Sequence, residues 1–217
     1  LLHIDIKGFE DNMTVSGMEM WRRGPATRIA LSAVLAASLT ACGGGAAKND
    51  TFSLTSAAPI EGPSAKSRQI LVPQPTALKA IDSEQIVIRP SPSEIQYLSQ
   101  SQWSDSLTKM VQAKLVQAFE NTGRLGGVGT PGQGLAIDYQ IVTEIRAFEV
   151  QTSGAGTAIV EISAKLLNDR NGSVRAQKVF RATAPVRGTG NTAFVKALDA
   201  AFAAVTADIV GWTLKTI

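Results

Sequence analysis

The sequence predicts an α+β fold, a two-layer sandwich in which two amphipathic helices cover one face of a mostly antiparallel sheet. Three observations carry that expectation. Leu135, Ile137, Tyr139, Ile141, Thr143 and Ile145 alternate with Ala136, Asp138, Gln140, Val142, Glu144 and Arg146, the period-two pattern of a half-buried strand. Ala158, Val160, Ile162, Ala164 and Leu166 repeat the alternation after a turn at Gly154 to Gly156, and the turn Asn168 to Gly172 leads into Val174 to Ala182. Two successive hairpins make a three-stranded antiparallel meander. Finally, two segments, Gln102 to Glu120 and Thr192 to Leu214, place apolar residues at three- and four-residue steps, a stripe down one side of a helix.

Residues 1 to 41 read as an upstream extension and a signal peptide that is removed. Arg22, Arg23 and Arg28 precede an apolar run from Ile29 to Leu39 that closes on small residues, the order of a secretory signal peptide. The run is too short to stay in a bilayer, since a spanning helix needs about 20 apolar residues. Leu1 to Glu19 holds acidic residues and no apolar run, which places the expected start at Met18 or Met20.

Leu39, Thr40, Ala41 and Cys42 resemble the bacterial lipobox. That resemblance implies a diacylglycerol on the Cys42 sulfur, an N-acyl chain on its amine and a mature chain that starts at Cys42. Each buried CH₂ contributes about 0.8 kcal/mol to membrane attachment, so two or three chains hold a protein where one binds only marginally. By the lipoprotein sorting rule, Gly43 in place of an aspartate directs the protein to the outer membrane. The other reading is an ordinary secreted protein with an incidental cysteine.

Residues 42 to 68 read as a lipidated flexible tether with a short strand near 51 to 54. Gly43 to Asp50 is small and polar, as flexible linkers are. Counted through Thr51, its nine residues reach at most roughly 30 Å. Thr51 to Leu54 is a plausible strand, and Thr55 to Arg68 is a second loose stretch rich in Pro, Ser and Ala.

Residues 69 to 217 read as a single α+β domain. Gln69 to Val72 and Gln85 to Arg89 are β-branched runs bounded by Pro73, Pro75, Pro90 and Pro92, which is strand punctuation, and Glu94 to Leu98 is a further short strand. The first helix carries Trp103, Leu107, Met110, Val111, Leu115, Ala118 and Phe119 on one stripe, with Ser101 as its cap and Gly123 as its stop. Gly126 to Gly134, rich in glycine, reads as a loop. The last helix carries Phe194, Leu198, Ala201, Phe202, Val205, Ile209 and Trp212, with Asn191 or Thr192 as cap.

Removing 41 residues from 217 leaves 176, a one-domain length that buries about two thirds of its unfolded surface. The 21 basic and 18 acidic residues each fall by four, which keeps a formal charge of +3. That charge is small and scattered, and argues against a nucleic-acid partner. The single histidine, His3, lies in the removed part, and Cys42 is acylated on the lipobox reading. Without imidazole or free thiol there is no Ser/His/Asp or Cys/His nucleophile, no zinc site of those ligands and no disulfide.

Four patterns bear on chemistry or ligand binding. Ser106 and Lys109 have the SxxK spacing that activates a serine in penicillin-binding enzymes and β-lactamases, but neither an SDN nor a KTG partner is present; solvated helix residues are expected. The Gly126 to Gly134 segment is not followed by the Lys and Ser/Thr pair of a phosphate cradle, and Gly134 is expected to open a strand rather than a helix; a flexible loop is expected. Asp138, Glu144, Glu149 and Glu161 alternate with apolar neighbours and are expected on the wet face of the sheet. Trp103, Trp212, Tyr97 and Tyr139 are expected in the core rather than lining a lipid groove. No catalytic, cofactor-binding or metal-binding residue is expected, and the chain reads as no enzyme.

Phe52 to Leu54, Ile70 to Pro73, Ile86 to Arg89, Tyr97, Trp103, Asp138 to Glu149, Ala182 to Val186 and an Ala-rich terminal helix ending in Trp212, in that order behind the lipobox, resemble the ABC-type transport auxiliary lipoproteins. These are the periplasmic lipoproteins, of the paraquat-inducible C type, that accompany MCE-domain lipid transporters. Trp103 to Leu107 departs from the family by lacking a proline in the helix's first turn. The resemblance implies a non-enzymatic, outer-membrane-anchored protein on the periplasmic face, working as a homo-oligomer against an MCE-domain subunit that moves phospholipid or another lipid. Its only cofactor would be the acyl chains on Cys42, and the energy would come from an ATPase elsewhere, since no GxxxxGK[ST] loop is present. Two rival readings are an assembly or secretion lipoprotein that binds an outer-membrane channel or β-barrel, and an envelope hydrolase built on Ser106 and Lys109.

Overall fold

The computed structural model describes residues 49–56 and 58–217; Cys42 and the signal segment lie outside them. Among the described residues nine strands and two helices follow in order: β1 (Asp50–Phe52), β2 (Ala65–Leu71), β3 (Thr76–Ala77), β4 (Gln85–Ser91), β5 (Glu94–Trp103), α1 (Leu107–Asn121), β6 (Leu125–Gly129), β7 (Tyr139–Gln151), β8 (Thr157–Asn168), β9 (Val174–Pro185) and α2 (Asn191–Thr216). The fold is α+β, one sheet backed by two helices.

The meander is β7, β8 and β9, paired antiparallel along almost their full lengths. The opposite edge of β7 is lined in succession by β2, β3 and β4, all parallel to it. Pro73 and Pro75 fall between β2 and β3, and proline cannot donate to a ladder, so this edge is built from short pieces. β5 folds back antiparallel on β4, while β1 and β6 pair parallel with β5 and β2.

β7 contains a bulge. Ile145 faces Ile162 but Ala147 faces Glu161, which leaves Arg146 extra. The buried side chains therefore change phase, from Tyr139, Ile141, Thr143 and Ile145 to Phe148 and Val150. Because the side-chain period in a strand is two, one inserted residue turns the following set to the other side of the pleat. The alternation read from the sequence ends at this bulge, and the strand goes on to Gln151.

Beyond residue 64 several boundaries differ from expectation: the strand expected from Leu135, for one, begins at Tyr139, and β2 begins at Ala65 rather than Gln69. Trp103 ends β5 instead of opening the helix; its N–H donates to the Glu84 carbonyl at 2.7 Å, and α1 begins only at Leu107, preceded by Ser106 rather than Ser101. α2 is preceded by Gly190 at φ 78°, a left-handed backbone that favours glycine. Asn191, with Thr192 one of two expected caps, is the first residue of the helix and donates from Nδ2 to the Ser99 carbonyl and the Ser101 hydroxyl at 2.9 and 2.7 Å. Gly126 to Gly129, expected in a loop, belong to β6, and a Cβ at Gly126 would run into the Lys66 carbonyl oxygen, so the glycine lets β6 approach β2.

One core joins both helices to the sheet. Trp103, Phe148 and Phe202 form a column through its centre, edge to face at 5.9 Å and tilted at 5.8 Å. Such pairs add about 0.5–1.5 kcal/mol each beyond their burial. Among the described residues no helix covers the other face of the sheet. Register places Tyr97, Val87, Glu149, Ile159 and Thr183 in one row across five strands of that face.

Candidate functional site

Where the chain emerges toward Cys42 it is fixed early. β1 pairs with Ser101, Gln102 and Trp103 of β5, and the segment after it is a strap over the helices instead of the loose stretch that its composition suggests. Leu54 is buried. Thr55 donates its N–H and hydroxyl to the two oxygens of Asp199 on α2, at 2.8 and 2.6 Å, and Ser56 bonds Gln117 on α1. Glu61 pairs with Arg124 at 2.7 Å. The strap packs so closely at Gly62 that a Cβ there would sit 2.8 Å from Leu214 Cδ1.

Ser106 and Lys109 do not form a dyad. The Lys109 ammonium lies 3.4 Å from Asp105 Oδ1, and that same oxygen accepts the Ser106 N–H at 2.6 Å. The backbone bond, helped by Lys109, holds the Asp105 carboxyl below the ordinary aspartate range. The arrangement fixes the turn before α1 and turns Lys109 toward Asp105.

The four carboxylates are each taken by arginine. Glu149 is the exception to the expected wet face: it is 5% exposed and accepts Arg89 Nε at 2.6 Å. That bond raises the Arg89 guanidinium above its ordinary value, against the opposing effect of burial. Asp138 accepts the Gln69 N–H at 3.0 Å and has Arg170 and Arg68 at 3.5 and 3.7 Å. Glu161 pairs with Arg181 at 2.9 Å and Glu144 with Arg146 at 3.2 Å. Among the described residues no cluster of His, Cys, Asp and Glu could hold a metal, and no helix is long and apolar enough to cross a membrane.

Of the aromatic candidates, Trp103 and Tyr139 are buried as expected, with the Arg68 guanidinium 5.9 Å from the centre of the Tyr139 ring. Trp212 is half-buried against Phe180 at 5.5 Å. Tyr97 departs from expectation: it is exposed on the open face of the sheet.

One hollow on the surface was not expected. It is an open groove of about 580 Å³ lined by Thr76, Ala77, Leu78, Glu144, Ile145 and Arg146, beside β3 and at the β7 bulge. The one trace of it in the sequence is the change of apolar phase between Ile145 and Phe148. Exposure of Leu78 leaves no such trace, because an isolated leucine in a turn reads as core.

Residues 52–210 match the family model of the ABC-type transport auxiliary lipoprotein component. The chain belongs to that family. A curated relative, the uncharacterized protein bll6063 of Bradyrhizobium diazoefficiens, is 32% identical over 194 residues; the alignment covers 86% of this auxiliary lipoprotein but 51% of the relative, so the chain spans about half of that relative's length. Among solved structures, protein XCC0632 of Xanthomonas campestris is 30% identical with a TM-score of 0.71, covering 77% of this chain and 96% of that one. An uncharacterized protein, 17% identical with a TM-score of 0.60 over 75% of this chain and 97% of its own, shares the fold.

Proposed function

We propose that this auxiliary lipoprotein is held to the periplasmic face of the outer membrane by acyl chains on Cys42, and serves without catalysis as a subunit of an ABC transport system that moves phospholipid or another lipid. The match to the auxiliary-lipoprotein family over residues 52–210 carries the reading. Two further features support it. Leu39 to Cys42 has the lipobox order, and Asp138, Glu144, Glu149 and Glu161 are each spoken for by an arginine, so none of them is poised as a free acid or base. The partner in this reading is an MCE-domain subunit, contacted by a homo-oligomer of the lipoprotein, and the ATPase is another chain.

Affinity purification of the full chain from its native host tests the partner. Co-purification with an MCE-domain protein, a permease and an ATPase is expected. Recovery of an outer-membrane β-barrel or a secretion channel in their place would replace this reading with that of an assembly lipoprotein. The anchor is tested separately: Cys42→Ala should move the protein to the soluble fraction while its fold is retained, and continued membrane fractionation would exclude acylation as the attachment.

A further inference from the structure

We propose that the free edge of β9 takes up an extended, acidic segment of another subunit of the transport system, which adds to the sheet as a further strand. This deepens the transport reading and rests on it. β9 pairs with β8 alone, so its outer row of main-chain donors and acceptors has no strand partner among the described residues. Sheet edges are ordinarily protected by shortness, proline or a bulge. β9 runs for 12 residues, with Pro185 only at its end, and the register shift that leaves Arg175 extra lies next to its first residue. From Ala176 to Ala184 every residue has its β8 partner in unbroken register, which leaves a long, regular edge open on the other side.

Charge selects the chemistry of the added chain. Arg170, Arg175, Lys178, Arg181, Arg187 and Lys196 fall between residues 170 and 198, a span without a single aspartate or glutamate. These six cations exceed the formal charge of +3 of the whole chain, so the rest of the protein is net acidic. Arg170 and Arg181 are paired, with Asp138 and Glu161. Arg175, Lys178, Arg187 and Lys196 form no ion pair among the described residues. Two β9 edges laid side by side would bring like charges together, which argues against a second copy of this chain, whereas acidic side chains would meet unused donors. An anionic bilayer could meet the cations, but it offers no partner for a row of N–H and C=O groups.

The neighbouring helix leaves room for the side chains of such a strand. Phe180, Ala182 and Ala184 of β9 pack toward the core, and alternate residues of an added strand would fall on the same side of the sheet. There Ala193, Ala197 and Ala200 of α2 line a hollow of about 310 Å³ at the end of β9, and Arg187 and Lys196 are its only charged lining residues. Small residues on the helix make the space, and the two cations give an entering carboxylate its anchor. Apolar contacts are on hand too, since Val174 and Val179 of β9 are 55% and 41% exposed. Strand addition draws affinity from main-chain hydrogen bonds and specificity from side-chain pockets.

The test is photo-crosslinking in the native host with the full chain, a crosslinking amino acid replacing either Val179 or Ile95. Ile95 is 40% exposed on β5, toward the opposite edge of the sheet, and serves as the comparison site. The expected result is an adduct between the Val179 position and a subunit of the transport system, through a peptide rich in Asp and Glu. It should be absent at Ile95 and reduced at least fivefold in the Lys178→Glu/Arg187→Glu double variant. All four positions are exposed, so the variants should fold, which circular dichroism would verify. Amide exchange in the purified complex then reads the pairing itself: alternate amides between Ala176 and Ala184 should slow at least tenfold relative to the free chain, because successive N–H groups of a strand point to opposite edges. No adduct at Val179, an adduct with a second copy of this chain or with lipid alone, an adduct indifferent to charge reversal, or unchanged exchange would each overturn the β9 edge while leaving the transport reading in place. If transport proteins are also missing from the affinity purification, the transport reading fails and this inference with it.

Discussion

Arg89 on β4 and Glu149 on β7 are joined across the parallel ladder by a 2.6 Å bond from Nε to Oε1, on the face of the sheet that carries no helix. The carboxylate side chain is 7% exposed and the guanidinium 22%. Val87 and Ile159 flank Glu149 in the same row, so the charge sits among apolar neighbours and relies on its partner.

Removing that partner leaves an uncompensated buried charge, which costs more than the pair contributes. Arg89→Ala should lower stability by about 3 kcal/mol, read as a fall in the urea midpoint at constant slope. The double variant Arg89→Met/Glu149→Leu should recover most of that loss. If the double variant is as unstable as Arg89→Ala, the pair stabilises in its own right and the argument from desolvation is wrong.

The aromatic column predicts a core effect of different origin. Trp103 is 1% exposed and touches Phe148 edge to face, so Trp103→Ala removes both burial and an aromatic pair. A loss of about 3–5 kcal/mol is expected, with Trp103→Phe well below it, again by urea denaturation. A loss under about 1 kcal/mol for Trp103→Ala would mean that the column relaxes around the vacancy.

How much of this was legible beforehand depends on whether a residue's role was local. β7 and β8 could be found because their apolar alternation is a property of neighbours in sequence, and the final helix because its stripe is. β6 could not, since Gly126 and Gly127 look like loop residues until β2 is brought against them and a Cβ has no room. Trp103 misled for a related reason: it lies four residues before Leu107, which is helical spacing, yet the backbone bond to Glu84 claims it for a strand. Glu149 fits the polar positions of a wet face, and only Arg89, sixty residues earlier, shows that it is buried. The bulge at Arg146 was readable in principle from the change of phase at Phe148, and with it the place of the groove.

Gly126 gives the sharpest test of β6 as a strand. A side chain there meets the Lys66 carbonyl of the neighbouring strand, a backbone atom that cannot step aside as a flexible side chain would. Gly126→Val should cost about 2 kcal/mol or more by overpacking, despite valine's preference for strands. Gly132→Ala, in the turn after β6 with no atom within 4 Å of the added Cβ, serves as the control. Its φ of 91° is strained for alanine, so a loss of about 1 kcal/mol is expected from that source alone.

Asp105 gives a prediction in pH. Its folded carboxyl titrates below the unfolded aspartate because the Ser106 N–H and the Lys109 ammonium favour the charged form. A lowered folded value means that the contribution is present above the unfolded value of about 3.9 and is lost as pH falls through the folded one. Carbon-13 titration of the Asp105 carboxyl should show the lowered midpoint, and Asp105→Asn should remove the accompanying change in the Ser106 amide signal. A midpoint at or above the ordinary aspartate value would mean that the turn before α1 is not held by this carboxylate.

The strap between β1 and β2 determines how much chain would separate the proposed anchor at Cys42 from the folded body. Asp199 binds Thr55 through both its oxygens, at an exposed site where each hydrogen bond contributes about 1 kcal/mol. Asp199→Ala should therefore leave the global urea midpoint nearly unchanged, within about 1–2 kcal/mol, while amide exchange at Leu54, Thr55 and Ser56 accelerates at least tenfold. Local opening of this kind is expected where few apolar groups are buried, and Leu54 is the only fully buried side chain of the strap among the described residues. Gly62→Val attacks the same segment from its other end, by pressing a side chain against Leu214, and should raise exchange in the same three amides. If exchange there still proceeds only through global unfolding in both variants, the strap belongs to the cooperative core, and the reach of the proposed anchor would be limited to the residues before β1.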